Sequence, residues 1–250
     1  QNISEGVKIS SGKDCLPQYR FDRAAIILSL DSDFLNLETD NVVNSRGFMD
    51  GRRVKKETDS MNRLYCVESA FTLTGAIADH RLRIRSGLVG AFAFALAQEL
   101  KRSGLKLALP AIPDVNFEGI FPEKWLKIAV QDLLKNRGKS LVVAGRRQPA
   151  SVHVLTTLIN MALGNIGNTV SYYDASHITQ SSIQGIETLA ADIKAGSLST
   201  LIMLGGNPAY NAPVDLDFPN LLKKVENTIH ISPYRDETSL KSSWHIPETH

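Results

Sequence analysis

The rhythm of this chain constrains it most. From about residue 138 onward, short apolar runs alternate with amphipathic stretches across short joins. Leu141–Ala144 leads to a helical stretch over Ala150–Leu163, and Val170–Tyr173 leads to one over Ile183–Ala195. Leu201–Leu204 then leads to Phe218–Val225 and on to Thr228–Ser232. An apolar run without polar alternation suits a strand buried on both faces, the usual state of strands in a parallel sheet covered by crossover helices. The first half carries the same signal more weakly. Ala24–Leu30 and Leu64–Val67 read as strands, with helices over Ser86–Lys101 and Pro122–Asn136.

The fold class expected is therefore α/β: two Rossmann-like lobes with mostly parallel sheets flanked by helices. Residues 1–22 read as a polar leader, 23–137 as a first lobe and 138–250 as a second, with the join between 108 and 138. There Leu109-Pro110-Ala111-Ile112-Pro113 breaks the pattern and begins a crossover loop. Residues 37–59 are polar, without a clean period, and read as a surface excursion. An internal echo supports two related lobes. Leu64–Glu68 leads through Thr72 and Thr74 to Ala78-Asp79-His80-Arg81-Leu82, as Thr228–Ser232 leads through Asp236-Glu237-Thr238 to Ser243-Trp244-His245-Ile246-Pro247.

Charge excludes some function classes. The 28 Lys and Arg against 26 Asp and Glu leave a net +2, too little for a nucleic-acid surface or a polybasic membrane patch. The longest apolar stretch, Gly87–Ala97, falls far short of the ~20 residues that span a bilayer, so no direct membrane insertion is expected and the stretch reads as a buried helix. Its run from Ala91 to Ala97 leaves no polar stripe. Two cysteines, Cys15 and Cys66, cannot furnish four thiolates for a cluster, and whether they pair stays open. The chain begins at Gln1 without a charged-then-apolar leader and stops at His250 without an obvious terminus. It reads as a piece of a longer protein.

Most catalytic signatures fail. Gly138-Lys139-Ser140 lacks the earlier glycine of a phosphate loop, with Leu133 in its place, and follows a helix instead of a strand. No strand is followed by G-x-G-x-x-G, no G-x-S-x-G elbow is present, and the six histidines never fall at metal-binding spacing. Catalytic and metal-ligating residues are thus expected to be none. Gly164-Asn165-Ile166-Gly167 reads as a helix end. The best binding candidate is Gly205-Gly206-Asn207, at the carboxyl end of a strand, where open α/β sheets place ligands and glycine lets backbone approach closely. Asp31 and Glu68 occupy similar strand ends, where a carboxylate can hold a ribose.

These residues also carry a resemblance. Leu201-Ile202-Met203-Leu204-Gly205-Gly206-Asn207-Pro208, followed by Asp236-Glu237-Thr238 and Trp244-His245-Ile246-Pro247, resembles the molybdopterin oxidoreductase superfamily of the dimethyl sulfoxide reductase and formate dehydrogenase type. Val67-Glu68-Ser69 through Leu82–Gly87 is similar to the stretch those enzymes use around the guanosine end of the cofactor, and the helix before Gly164 has its counterpart there. Met61–Tyr65, Ala76–Arg81 and Gly145-Arg146-Arg147-Gln148-Pro149 are closer to the large iron–sulfur subunit of alternative complex III, a quinol:electron-acceptor oxidoreductase. The resemblance implies an enzyme-like region without pterin, with iron–sulfur clusters elsewhere in the parent chain and none here. It implies as partners that iron–sulfur region and the other subunits of a membrane-associated respiratory complex. The parent is implied to be exported to the periplasmic side of a bacterial membrane.

The departures point the same way. Ser69-Ala70 stands where catalytic relatives carry proline and arginine, and Leu88-Val89 where they carry threonine and aspartate. A guanine edge left unpaired costs about 1–3 kcal/mol, so tight pterin binding is not expected. Gly205, Gly206, Asn207, Glu68 and Asp31 then mark a cleft kept as architecture. Two alternatives stay open: a fragment of a catalytic molybdopterin oxidoreductase, and a stand-alone α/β protein binding a small nucleotide-like ligand.

Overall fold

The computed structural model describes residues 2–108, 117, 119–175 and 183–249; the proline-bearing break at 109–113 lies outside them. The chain divides into two compact units, Gln1–Thr179 and Gln180–His250. The expected α/β class, with parallel sheets flanked by helices, is what both units show.

Unit 1 runs α1 (Asn2–Ser11), β1 (Cys15–Tyr19), β2 (Ile26–Leu30), α2 (Asn41–Asp50), β3 (Arg63–Glu68), α3 (Leu73–Ile77), β4 (His80–Arg83), α4 (Val89–Arg102), α5 (Glu123–Lys135), β5 (Ser140–Ala144), α6 (Ala150–Ala162) and β6 (Val170–Asp174). Its main sheet is parallel, in the order β4-β3-β2-β5. Leu28, Leu30, Tyr65 and Val67 pack on one face against Val89, Phe92, Leu96 and Leu100 of α4. Ile27, Leu64, Leu141 and Val143 pack on the other against Phe21, Phe34 and Phe48. Phe92 is fully buried and Phe94 half-buried, so α4 is enclosed over most of its surface as its composition implies.

Three sequence expectations need correcting here. The join falls later than 108–138, because β5 pairs in register with β2 and so completes the sheet of unit 1. Residues 1–22 are more than a leader: α1 lies on α6 so closely that a Cβ on Gly6 would come 2.4 Å from the His153 Cβ. β6 does not extend a parallel sheet but pairs antiparallel with β1, Cys15 opposite Asp174 and Tyr19 opposite Val170. Apolar content alone could not distinguish these pairings, since the partner strand Cys15-Leu16-Pro17-Gln18-Tyr19 is mixed in character.

The edge strand β5 is sealed by side chains. Asn160 of α6 donates to the Val142 carbonyl at 2.7 Å and accepts from its N–H at 3.0 Å, and the Thr169 hydroxyl donates to the Ser140 carbonyl at 2.6 Å, so these outward backbone groups of β5 are already paired.

Unit 2 runs α7 (Ile183–Lys194), β7 (Thr200–Leu204), α8 (Pro208–Asn211), α9 (Phe218–Leu222), β8 (Asn227–Ser232) and β9 (Trp244–Pro247). Its parallel sheet has the order β7-β8-β9. Met203 packs with Ala190, Ile193, Phe218, Leu221 and Leu222 of α7 and α9 on one face.

The internal echo is structural. Segments 63–84 and 227–248 run in step without a gap: β3 pairs with β4 from Tyr65 and His80, and β8 with β9 from Ile229 and Trp244. Along the two segments only Thr74 and Thr238 are the same residue.

Candidate functional site

In unit 1 the candidate site is built on the turn that follows β2. Asp31 takes a left-handed φ of 55°, a conformation that costs a non-glycine residue about 1 kcal/mol. Its N–H donates to the Val67 carbonyl at 2.7 Å and fastens the end of β2 to β3. Its carboxylate accepts from the Gln148 amide at 2.9 Å and from the Ser69 N–H at 3.4 Å. Two residues on, buried Asp33 accepts from the Thr74 N–H at 3.1 Å and hydroxyl at 2.8 Å. Thr72 caps α3 by accepting from the Gly75 N–H at 3.0 Å.

Glu68 ends β3 and is 1% exposed. Its carboxylate accepts from the Thr72 hydroxyl at 2.6 Å and from the Arg81 guanidinium at 2.5 Å. It also lies against Gly75, where a Cβ would come 1.8 Å from Oε1; the glycine is what leaves room for the charge. Arg81, opposite Cys66 in the register, covers the ring of Phe71 at 4.7 Å. The structure brings Asp31 and Glu68 together at adjacent strand ends, and both carboxylates are engaged by the protein itself.

In unit 2 the same turn is made of Gly205 (φ 65°) and Gly206 (φ 68°), with open space where either Cβ would be. The Gly205 N–H donates to the Ile231 carbonyl at 2.8 Å. Asn207 accepts from the Thr238 N–H at 3.2 Å and hydroxyl at 2.7 Å, and donates to Glu237 at 2.6 Å. That bond holds the Glu237 carboxyl below its usual range. Asn207 is thus a fastener, while the face of the two glycines stays uncovered.

Buried His230 braces this turn from below. Its Nε2 lies 3.0 Å from the Gly206 carbonyl, which only accepts, so the ring proton sits there. Nδ1 then accepts from the Ser239 hydroxyl at 2.8 Å. Asp236 approaches the same nitrogen, at 3.6 Å, instead of orienting the ring from the far side. The three groups form a structural brace and not a nucleophile–base–acid relay.

One feature that sequence reading missed lies wholly in unit 1. A pocket of about 550 Å³ opens beside Ser32, Val143 and Ala144 and is walled by Leu16–Tyr19 of β1, Phe34 and α2. Burial pushes the Tyr19 phenol up, with Tyr172 and Glu38 adding to it. Burial also raises Glu38, whose carboxylate faces the Arg146 N–H at 3.2 Å. Asp22, Glu38, Asp40 and Asp50 outnumber Arg20 and Arg46 around it, and Arg20 is bound to Asp22 at 2.8 Å. Glu38, Thr39 and Asp40 had read only as part of a polar excursion, with no motif to mark them.

Among the described residues no three His, Cys, Asp or Glu side chains cluster to hold a metal, and no helix is long and apolar enough to cross a membrane. Cys15 and Cys66 are unpaired; burial raises the Cys66 thiol and Glu68 adds to it.

No family model matches the sequence, and no curated protein matches it. Among solved structures, acetylene hydratase from Pelobacter acetylenicus matches 100% of this chain at a TM-score of 0.58 and 12% sequence identity. The chain spans 44% of the length of that protein. At that identity the likeness is one of fold, and what it adds is that this succession of α/β elements occurs within acetylene hydratase.

Proposed function

We propose that this chain is a molybdopterin-oxidoreductase-like domain that holds no pterin and acts as a structural module of a respiratory quinol:electron-acceptor oxidoreductase of the alternative complex III kind. The coarse part of this reading is supported by the fold shared with acetylene hydratase, a molybdopterin-type enzyme. The observation that carries the finer part is the buried Glu68 carboxylate, closed in by Thr72, Arg81 and Gly75. A ribose reaching it would have to break an internal ion pair, at about 3–5 kcal/mol for a buried one. Asp31 is likewise engaged, by Gln148 and Ser69. Where the resemblance asks for an aspartate, Val89, the first residue of α4, is fully buried in the core and offers a guanine edge nothing. The residues of the first turn therefore do not fit a pterin guanine dinucleotide, and no chemistry is routed through one.

On this reading the domain positions the iron–sulfur region of its own parent chain and the neighbouring subunits, on the periplasmic side of the membrane. The test is metal and pterin analysis of the parent polypeptide, made in a host that synthesises pterin guanine dinucleotide and purified with its complex. Iron without molybdenum or pterin is expected. Stoichiometric pterin would overturn the reading in favour of a catalytic molybdenum enzyme.

A second reading, a stand-alone protein binding a small ligand, is favoured by the 550 Å³ pocket. Its acidic lining suits a neutral or cationic hydroxylated molecule better than a phosphate-bearing one. Thermal-shift screening should separate the classes: stabilisation by nucleosides or amines that Glu38→Gln weakens supports this reading, and a flat response to both removes it.

A further inference from the structure

Among the described residues of unit 2, helices cover one face of its sheet. Met203 and Leu201 meet α7 and α9, but the opposite face presents Ile202 and Leu204 of β7, Ile229 and Ile231 of β8, and Trp244 and Ile246 of β9. They stand in two registered rows, Ile202–Ile229–Trp244 and Leu204–Ile231–Ile246. Ile202 is 57% exposed, Leu204 77% and Trp244 66%. A parallel sheet with a bare apolar face is rare, because each crossover ordinarily lays a helix on it. A contiguous apolar patch of this kind marks an interaction surface.

Unit 1 shows what covers such a face. There the matching rows are Leu28–Tyr65–His80 and Leu30–Val67–Leu82. Leu28, Leu30, Tyr65 and Val67 are buried under α4, whose Phe92, Ala93, Leu96, Ala97 and Leu100 form the contact. α4 begins a short turn after β4, on the side away from Phe21 and Phe48. Since 63–84 and 227–248 run in step, the position of α4 falls just beyond β9 in unit 2.

We propose that this face seats an amphipathic helix, the counterpart of α4, contributed by sequence that follows β9 in the parent polypeptide. Small residues on its apolar side would let it approach the sheet as Ala93 and Ala97 do in unit 1. The inference rests on the internal repeat and the bare face, and does not depend on whether the protein holds pterin.

The experiment compares the 250-residue chain with its parent polypeptide by hydrogen exchange, using an anilinonaphthalene dye as probe of apolar surface. In the 250-residue chain the dye binds, and Leu204→Asn reduces its signal while leaving Tm unchanged. In the parent, β7–β9 amides exchange at least tenfold more slowly, the dye signal falls, and Leu204→Asn lowers Tm by roughly 4–8 °C. Equal exchange in both proteins would overturn the proposal. So would protection that appears only as concentration rises, which assigns the face to a second copy, or only when a separate subunit is added.

Discussion

The two strand–turn–strand segments, 63–84 in unit 1 and 227–248 in unit 2, are held by the same fasteners and filled differently. Each strand end is tied across by one N–H, from Asp31 to Val67 at 2.7 Å and from Gly205 to Ile231 at 2.8 Å. Each turn is closed by a threonine that donates twice to one side-chain oxygen, Thr74 to Asp33 and Thr238 to Asn207. Each strand start is met from the same place, the Leu64 N–H by Asp79 at 2.8 Å and the Thr228 N–H by Ser243 at 3.4 Å. The filling differs. Unit 1 sinks a carboxylate, Glu68, and closes it with Arg81. Unit 2 has Ser232 there, braces the turn with His230, and leaves its two glycines open. A few polar bonds to backbone suffice to keep a turn, while the side chains that decide what can enter it are free to diverge.

The largest expected effect tests the closure of unit 1. Gly75→Ala forces a methyl group into the Glu68 carboxylate and should cost about 3 kcal/mol or more, by overpacking and by displacing a buried ion pair. The counterpart change, Ser239→Ala, removes the hydroxyl bond to His230 and keeps the backbone N–H bond to Asp236, at about 1–2 kcal/mol. Urea unfolding of both variants measures the ratio; equal losses would mean that the two turns are equally open.

Buried histidines sharpen the comparison next. His230 has partners on both nitrogens, whereas the Nε2 of His153 has none, and burial pushes the His153 pKa from 6.5 down to about 4. The unfolded chain therefore binds a proton that the folded one does not between those values. The stabilisation due to neutral His153 is complete above pH 6.5 and is lost as pH falls toward about 4, by about 3 kcal/mol in total. His153→Leu should flatten that part of the stability profile. An unchanged slope would show that His153 does not titrate there.

Thr74→Val removes the hydroxyl bond to the buried Asp33 carboxylate while keeping the backbone N–H bond, and should cost about 2–3 kcal/mol, while Thr238→Val, facing the more exposed Asn207, should cost about 1 kcal/mol. Thermal melts of the pair, with the order reversed, would contradict the stronger closure of unit 1. The smallest effect is Asp31→Gly, which relieves a left-handed φ but loses the Gln148 bond. These nearly cancel, leaving a net change within about 0.5 kcal/mol.

Ile26–Leu30, Ser140–Ala144 and Thr200–Leu204 were legible as strands, wherever they stand in their sheets, because they are short and largely apolar runs. The edge strands β4 and β9 were not. His80-Arg81-Leu82-Arg83 and Trp244-His245-Ile246-Pro247 lie at sheet margins where polar side chains are tolerated, so no periodicity betrays them. Helix α2 was hidden similarly, with Val42 and Val43 facing outward and only Asn44 and Phe48 buried. At the site, position was readable and availability was not. Asp31, Glu68 and Gly205 do stand at strand ends, but the closing partners Gln148 and Arg81 come from elsewhere in the chain and from an unrecognised strand.

The central claim is that the strand end of unit 1 is closed to a nucleotide by its own side chains. Titrating guanosine diphosphate into isotope-labelled protein and following the amides of Asp31, Glu68, Ser69 and Gly75 by NMR tests it most directly. The account predicts no saturable shift at these four positions up to millimolar nucleotide. Saturable shifts there, abolished by Glu68→Gln, would contradict it.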